Sequence, residues 1–238
     1  MVDGCVRRFV CHNNQMASKR RKKREAYWQP RLPWDGKKQR RQGAGRKKSP
    51  DSGVSHLTRE AFQSRHPQHV VCRLLKGFPS LRRKRVHAVL QEAFGAGKER
   101  FGFRLVHYSV QGNHLHLITE AKSKDALARG MKGLCVRIAR ALNRHWDRKG
   151  TVFADRYFSR VLRTPTEVRR ALVYVLQNYL HHTSQRWPKY PLDPFSSAPW
   201  FTDGWNEDFT FGGVPSEPPV AACKTWLLGK GWKRLGLI

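Results

Sequence analysis

Acidic side chains are scarce in this 238-residue chain: Asp and Glu number 17 against 47 Lys and Arg, which leaves a formal net charge of +30. Such an imbalance calls for a polyanionic partner, and nucleic acid is the first candidate. Apolar runs long enough to cross a bilayer are missing, as is the hydrophobic segment of a signal peptide. The sequence therefore reads as a soluble, cytoplasmic protein without a membrane partner. Cysteine is sparse and dispersed, with Cys5, Cys11, Cys72, Cys135 and Cys223 forming no Cys-x-x-Cys pair. That distribution favours reduced thiols and argues against a disulfide framework or a zinc ribbon. No internal repeat is present.

Positive charge is concentrated first in residues 1–60, through the runs Lys19-Arg20-Arg21-Lys22-Lys23-Arg24 and Lys37-Lys38-Gln39-Arg40-Arg41. Few aliphatic residues interrupt these runs, so the arm has no core to bury and is expected to be disordered when free. Gly43-Ala44-Gly45-Arg46-Lys47-Lys48 has the look of a degenerate minor-groove arm, and Lys47 and Lys48 are expected to bind phosphates. Residues 61–182 read as the ordered domain, and residues 183–238 as a Trp- and Pro-rich tail with one short helix between Lys224 and Ile238.

Within the central domain, His69 to Leu75 reads as a strand. Pro79 and Ser80 are expected to open a helix whose buried stripe runs through Leu81, Val86, Val89, Leu90 and Phe94. Arg82, Arg83, Lys84 and Arg85 crowd its first turns, where cations oppose the helix dipole unless a phosphate partner is present. Phe101 to Val110 and His114 to Thr119 read as two further strands, joined through Gln111-Gly112-Asn113, residue types that tolerate positive φ. Ser123 caps an amphipathic helix running to Trp146, with Leu127, Met131, Leu134, Ile138 and Leu142 on its apolar stripe. Val152 to Leu162 suggests one strand or two short ones. Thr164-Pro165-Thr166-Glu167 then announces a helix by a capping box with proline at its first position. Its stripe is Val168, Leu172, Val175, Leu176 and Tyr179. The element order implies an α+β sandwich with a mostly antiparallel sheet.

The chemistry concentrates at Asn113-His114-Leu115-His116-Leu117. Side chains alternate along a strand, so His114 and His116 project from one face and can share an ion. Tyr174 lies off the apolar stripe of its helix, with Asn178 on the same flank one turn later. A tyrosine, two imidazoles and an amide converging on one point suit attack on a phosphodiester: a metal would neutralise charge while Tyr174 acts as covalent nucleophile. Nitrogen and oxygen donors fit Mn²⁺ or Mg²⁺. The third ligand stays open, with Asn178 first, Gln177 pointing elsewhere and Glu120 on the histidine face but farther along the strand.

Gly112-Asn113-His114-Leu115-His116-Leu117-Ile118, then Gly150 to Phe158 with Arg156-Tyr157, then Tyr174-Val175-Leu176-Gln177-Asn178, together resemble the single-tyrosine HUH transposases, and in particular the REP-associated tyrosine transposases of bacteria. The resemblance spans roughly residues 66–182. It implies an HUH, ferredoxin-like sandwich that nicks and joins single-stranded DNA near hairpins through a 5′-phosphotyrosine link. Mg²⁺ or Mn²⁺ would be the cofactor, held by His114, His116 and Asn178, with Tyr174 as nucleophile and Arg156 as a phosphate contact. Arg73, Arg82, Arg83 and Arg160 complete the cations expected to face DNA. The protein would act as a monomer or homodimer, associated with the nucleoid. His69 matches a strand-one histidine of that family without a settled role. Two departures stand out: Gly112 replaces a proline, and Tyr179 follows Asn178 where proline is usual. The competing reading is a catalytically silent, transposase-derived DNA-binding protein.

Overall fold

A computed structural model describes residues 62–178, 192–206 and 217–238. The basic arm, including Lys47 and Lys48, lies outside these residues, as do Tyr179 and Trp187. The β-branched run at the start of the domain forms β1 (Gln68–Arg73), followed by α1 (Lys84–Gly97), β2 (Glu99–Arg100), β3 (Phe103–Val110), β4 (His114–Ala121), α2 (Lys124–His145), β5 (Phe158–Val161), α3 (Pro165–Leu176) and a short α4 (Trp226–Gly229). The five strands form one sheet in the order β2-β3-β4-β1-β5, and every pairing is antiparallel. The expected α+β architecture is the one found.

Strand alternation divides the sheet's side chains between two cores. Val70, Cys72, Leu115, Leu117, Phe103, Leu105 and Tyr108 pack against α1 and α2 on one face. On the other, Val106 and Ile118 pack against α3 and the C-terminal segment. An irregularity between Leu105 and His107 lets β3 place both Val106 and His107 toward this second face. Extra-residue bulges of this kind re-aim side chains beside sites.

Helix starts follow their caps where caps exist. Ser123 accepts a hydrogen bond from the Ala126 amide, and α2 begins at Lys124. Thr164 and Glu167 form the reciprocal capping box that begins α3. By contrast, α1 starts at Lys84 rather than at Pro79-Ser80: its cap position is Arg83, which supplies no capping side chain, and its first turn holds no acid. The residues before it are used otherwise, since Leu81 N–H donates to the Gly112 carbonyl and pins the β3–β4 connection from the side. That connection needs no left-handed backbone, because neither Gly112 nor Asn113 has a positive φ. Strand β3 likewise starts two residues later than expected, Phe101-Gly102 being a turn.

The C-terminal residues are part of the fold. Ala221 N–H donates to the Leu105 carbonyl at the edge of the sheet. Glu120, on β4, accepts from the amides of Lys224 and Thr225 and from the Thr225 hydroxyl. Trp232 is fully buried, its indole N–H donating to the Leu228 carbonyl, as a buried indole requires. Arg169, on α3, donates to the carbonyls of Gly236 and Leu237. The tail thus braces the helix that carries Tyr174. Packing accounts for Trp232, whereas Trp226 is half exposed under the Arg234 guanidinium.

Candidate functional site

Antiparallel register decides which groups meet on the second face of the sheet. Pairing of β1 with β4 sets Val71 opposite His116, Arg73 opposite His114 and His69 opposite Ile118. His69 is therefore a diagonal neighbour of His116 on the same face, within reach of aromatic side chains. Its Nε2 lies 3.2 Å from His116 Nδ1, and the two rings are stacked at 5.3 Å. The far nitrogen of His116, Nε2, lies 3.0 Å from His114 Nε2 and 3.4 Å from the Tyr174 hydroxyl. The Tyr174 ring meets His116 edge-on at 4.9 Å and His69 at 6.0 Å. Two imidazole nitrogens and one phenol oxygen thus face one point, framed by β4 and α3.

Tautomers follow from the partners. The Asn113 side-chain oxygen can only accept, so the 2.8 Å contact makes His114 Nδ1 the protonated nitrogen and leaves Nε2 with its lone pair in a neutral ring. Between His69 and His116 the hydrogen bond can run either way. With His116 donating from Nδ1, its Nε2 lone pair faces that of His114, and a cation must lie between them for the arrangement to be favourable. With His69 donating instead, His116 Nε2–H bonds to His114 and the pair closes without an ion. Burial, reinforced by the Arg160 guanidinium, lowers the His69 pKa to about 4, so at neutral pH this ring is uncharged and can accept.

Tyr174 is half-buried, and burial raises its phenol pKa, with the Asn178 side chain acting in the opposite direction. Asn178 itself is fully buried, and among the described residues neither its side-chain oxygen nor its nitrogen has a hydrogen-bond partner. The expectation that Tyr174 and Asn178 share one uninterrupted helix needs correction: α3 ends at Leu176, with Gln177 as its C-cap at φ −113° and ψ 13°. The break comes before the Asn178-Tyr179 pair at which this chain departs from the family pattern.

No group of three or more His, Cys, Asp or Glu side chains is placed to hold a metal ion among the described residues. Glu120 is committed to capping the tail. A divalent ion would therefore rest on His114, His116 and the Asn178 amide. The two imidazoles fit: nitrogens 3.0 Å apart can both lie about 2.1 Å from one ion, and a buried amide without a hydrogen bond of its own is the kind of group an ion satisfies.

The expected DNA-facing cations separate by environment. Arg73 and Arg83 are exposed. Arg82 is already engaged: it forms a two-pronged ion pair with the buried Asp193, both contacts at 2.9 Å, donates to the Val110 carbonyl and lies over the Phe195 ring. Its bond to Asp193 makes it a clamp for the 192–197 segment, a partnership across 111 positions that local sequence does not display. Arg160 is paired with Glu167 at 3.0 Å beside His69. Arg156 is half-buried, its Nε buried without a partner among the described residues, and it lines a recess of about 370 Å³ with Lys132, Asp155 and Tyr157. Sequence reasoning missed the contact of His69 with His116. The signal available was parity: His69 and Arg73 must share a face, and an antiparallel neighbour aligned at Arg73–His114 brings His69 to His116.

These elements define a class before any comparison: an α+β protein whose five-stranded antiparallel sheet presents a histidine pair to a tyrosine-bearing helix. Residues 63–182, about half of the chain, match the family described as "Transposase IS200 like", and the chain belongs to that family. Among solved structures it is similar to a REP-associated tyrosine transposase bound to a REP hairpin, at 16% identity and a TM-score of 0.48, over 60% of this chain and 82% of that one. It is also similar to a transposase-like protein from Deinococcus radiodurans, at 17% identity and a TM-score of 0.36, over 53% of this chain and 95% of the other. No curated protein matches the chain.

Proposed function

We propose that this protein cleaves and rejoins single-stranded DNA near hairpins, with Tyr174 as nucleophile and a divalent ion, Mg²⁺ or Mn²⁺, on His114, His116 and Asn178. The observation that carries the reading is the meeting of the Tyr174 hydroxyl with the paired imidazoles: 3.4 Å to His116, itself 3.0 Å from His114. In the reaction, Tyr174 Oη bonds to phosphorus, the bond from phosphorus to the 3′ oxygen breaks, and the phenolic proton ends on the departing 3′ oxygen. The ion, when bound, supplies positive charge for the phosphate and its pentacoordinate transition state. Because burial raises the phenol pKa, little phenolate is present in the resting protein, and proton removal accompanies the attack on phosphorus.

Asn113 and His69 fix the two imidazoles from behind. Asn113 holds His114 in the tautomer that turns Nε2 outward, and His69 accepts the His116 Nδ1 proton in the ion-bound arrangement, the outer support that histidine ligands commonly have. Arg73, Arg83 and Arg156 supply phosphate contacts. Residues 1–60, Lys47 and Lys48 among them, form a basic arm that adds salt-sensitive, sequence-independent affinity, and 61–182 is the catalytic domain. Action in the bacterial cytoplasm, at the nucleoid, as a monomer or homodimer belongs to the same reading. No helix among the described residues is long and apolar enough to cross a membrane.

The test is a denaturing gel for a covalent protein–DNA adduct. Wild type and Tyr174→Phe are incubated with labelled hairpin oligonucleotides from the flanks of the gene, with Mn²⁺ or with EDTA. An adduct that requires both the metal and Tyr174 is expected. Tight binding with no adduct under any condition would replace this reading with that of a catalytically silent DNA-binding protein.

A further inference from the structure

At the far end of β4 from the histidines, the chain carries a backbone conformation that its sequence disfavours. Glu99 pairs with Arg104 and Arg100 with Phe103, so the β2–β3 hairpin turns on two residues, Phe101 and Gly102. Both have positive φ, 54° and 77°. A two-residue turn of this hand is normally built from Asn-Gly or Asp-Gly, and a bulky side chain with φ in this region is an outlier. Gly102 is required both by its φ and by space, since an added Cβ would meet the Lys122 stem at 3.1–3.4 Å. Phe101 has no such reason to be where it is. Its ring does not pack inward to offset the strain: Phe101 is 70% exposed, the most exposed large hydrophobic residue described.

The surroundings of this ring are cationic. Lys98, Arg100, Lys122 and Lys124 lie in the adjoining segments. Glu99, the acid beside the tip, is taken up by Arg104 and Lys224, and Lys98 is drawn toward Glu217. Arg100 donates to the Ala96 carbonyl and, with Lys122 and Lys124, makes no ion pair among the described residues. Phe101 lines an open recess of about 470 Å³ together with Gly95, Ala96, Lys98, Glu99 and Arg100. An aromatic face beside cations and small residues is the chemistry of a base-stacking platform with phosphate contacts.

We propose that the β2–β3 tip is a second DNA contact, in which Phe101 stacks on an unpaired base while Arg100 and Lys122 hold the adjoining phosphates. The proposal rests on the DNA-processing reading above and adds to it a separate binding point. From His116 to Ala121 the strand advances roughly 17 Å, equal to about five nucleotide steps of a stacked strand. A strand held at Tyr174 therefore needs a single-stranded flank longer than that to pass round the covered strand to the tip. A left-handed phenylalanine exposed to water is disfavoured in the free protein, and stacking on a base gives that ring the cover it lacks.

The experiment compares wild type, Phe101→Asn and Phe101→Trp. Thermal unfolding is measured alongside fluorescence anisotropy on a labelled hairpin with a flank of about eight nucleotides, and on the same hairpin with an abasic flank. Asn tolerates this φ, so Phe101→Asn is expected to raise the unfolding midpoint while weakening binding to the intact flank roughly 5- to 150-fold, the range of one base stack. Phe101→Trp keeps the affinity. The abasic flank weakens wild type to a similar extent and leaves Phe101→Asn unaffected. Wild-type affinity in Phe101→Asn, with wild type still binding the hairpin, overturns the tip contact alone. Failure of wild type to bind either DNA overturns the DNA reading and the tip contact with it.

Discussion

Replacing Asn178 with leucine separates stability from metal binding, because the two are expected to move in opposite directions. Asn178 is fully buried, and both its side-chain polar atoms lack partners among the described residues. A buried polar group left unsatisfied costs about 1–3 kcal/mol. Leucine has a similar shape and no polar atoms, so Asn178→Leu should stabilise the metal-free protein by about 2 kcal/mol. For a chain of this size that is a rise of about 4–8 °C in midpoint. In wild type, Mn²⁺ at a hundred times its dissociation constant adds about 2.7 kcal/mol, a response Asn178→Leu should lose. Asn178→Asp, which keeps an oxygen donor, should retain it. The assay is thermal unfolding in EDTA and across a Mn²⁺ titration, with calorimetry for the affinity. If Asn178→Leu is destabilised in EDTA and still responds fully to Mn²⁺, the amide is a packing group and its assignment as a ligand is wrong.

Acid should destabilise the fold through two further buried imidazoles, His87 and His107. Burial lowers His87, which faces Tyr108, Phe195, Asp193 and Arg82, to about 4, and lowers His107, which faces Ser197 and Phe201, to about 3. Their folded pKa values lie below the unfolded 6.5, so their contribution is complete above pH 6.5 and is lost as pH falls toward the folded values. Between pH 7 and 5 this amounts to about 2 kcal/mol for each. Urea unfolding measured in EDTA at several pH values should show the midpoint falling, and a flat profile would contradict the burial argument. A separate check concerns α2: a Cβ on Gly130 would lie 2.2 Å from Phe103 Cγ, whereas one on Gly133 meets only the end of Arg137 at 3.0 Å. Gly130→Ala should cost about 1–3 kcal/mol by overpacking, while Gly133→Ala should be neutral or stabilising by up to about 1 kcal/mol; equal effects in urea denaturation would refute the assigned packing of α2 on β3.

What could be read from sequence was what depends on neighbours along the chain. The caps of α2 and α3 use side chains within three residues of the helix start, so both starts were legible. The common face of His114 and His116 follows from alternation, and the position of Tyr174 off the apolar stripe follows from helical periodicity. What escaped depends on distant partners. Arg82 looked like a helix-start cation until Asp193 took it, and Leu81 is drawn out of the expected helix by the Gly112 carbonyl. Glu120 looked like a spare carboxylate because its partners, Lys224 and Thr225, lie more than a hundred positions away. The end of α3 at Leu176, ahead of Asn178, carries no glycine or proline signal.

Two residues contradict the usual rules in the same way, and they lie at opposite ends of β4. Asn178 is polar where the chain is buried, and Phe101 is aromatic, exposed and left-handed where Asn would serve. The Phe101 ring is not covered by any contact within the described residues and the Asn178 side chain acts only on the Tyr174 phenol, and for each a common substitution should make the free protein more stable. Other buried groups do have partners: Trp232 is buried with its N–H satisfied, Asp193 has Arg82, and Glu120 has three donors. Local costs of this kind mark positions where a bound partner can supply the missing contact. A cation answers the Asn178 amide and a nucleobase answers the Phe101 ring. Both fit a single bound DNA strand that meets the protein at the histidine pair and again at the hairpin tip.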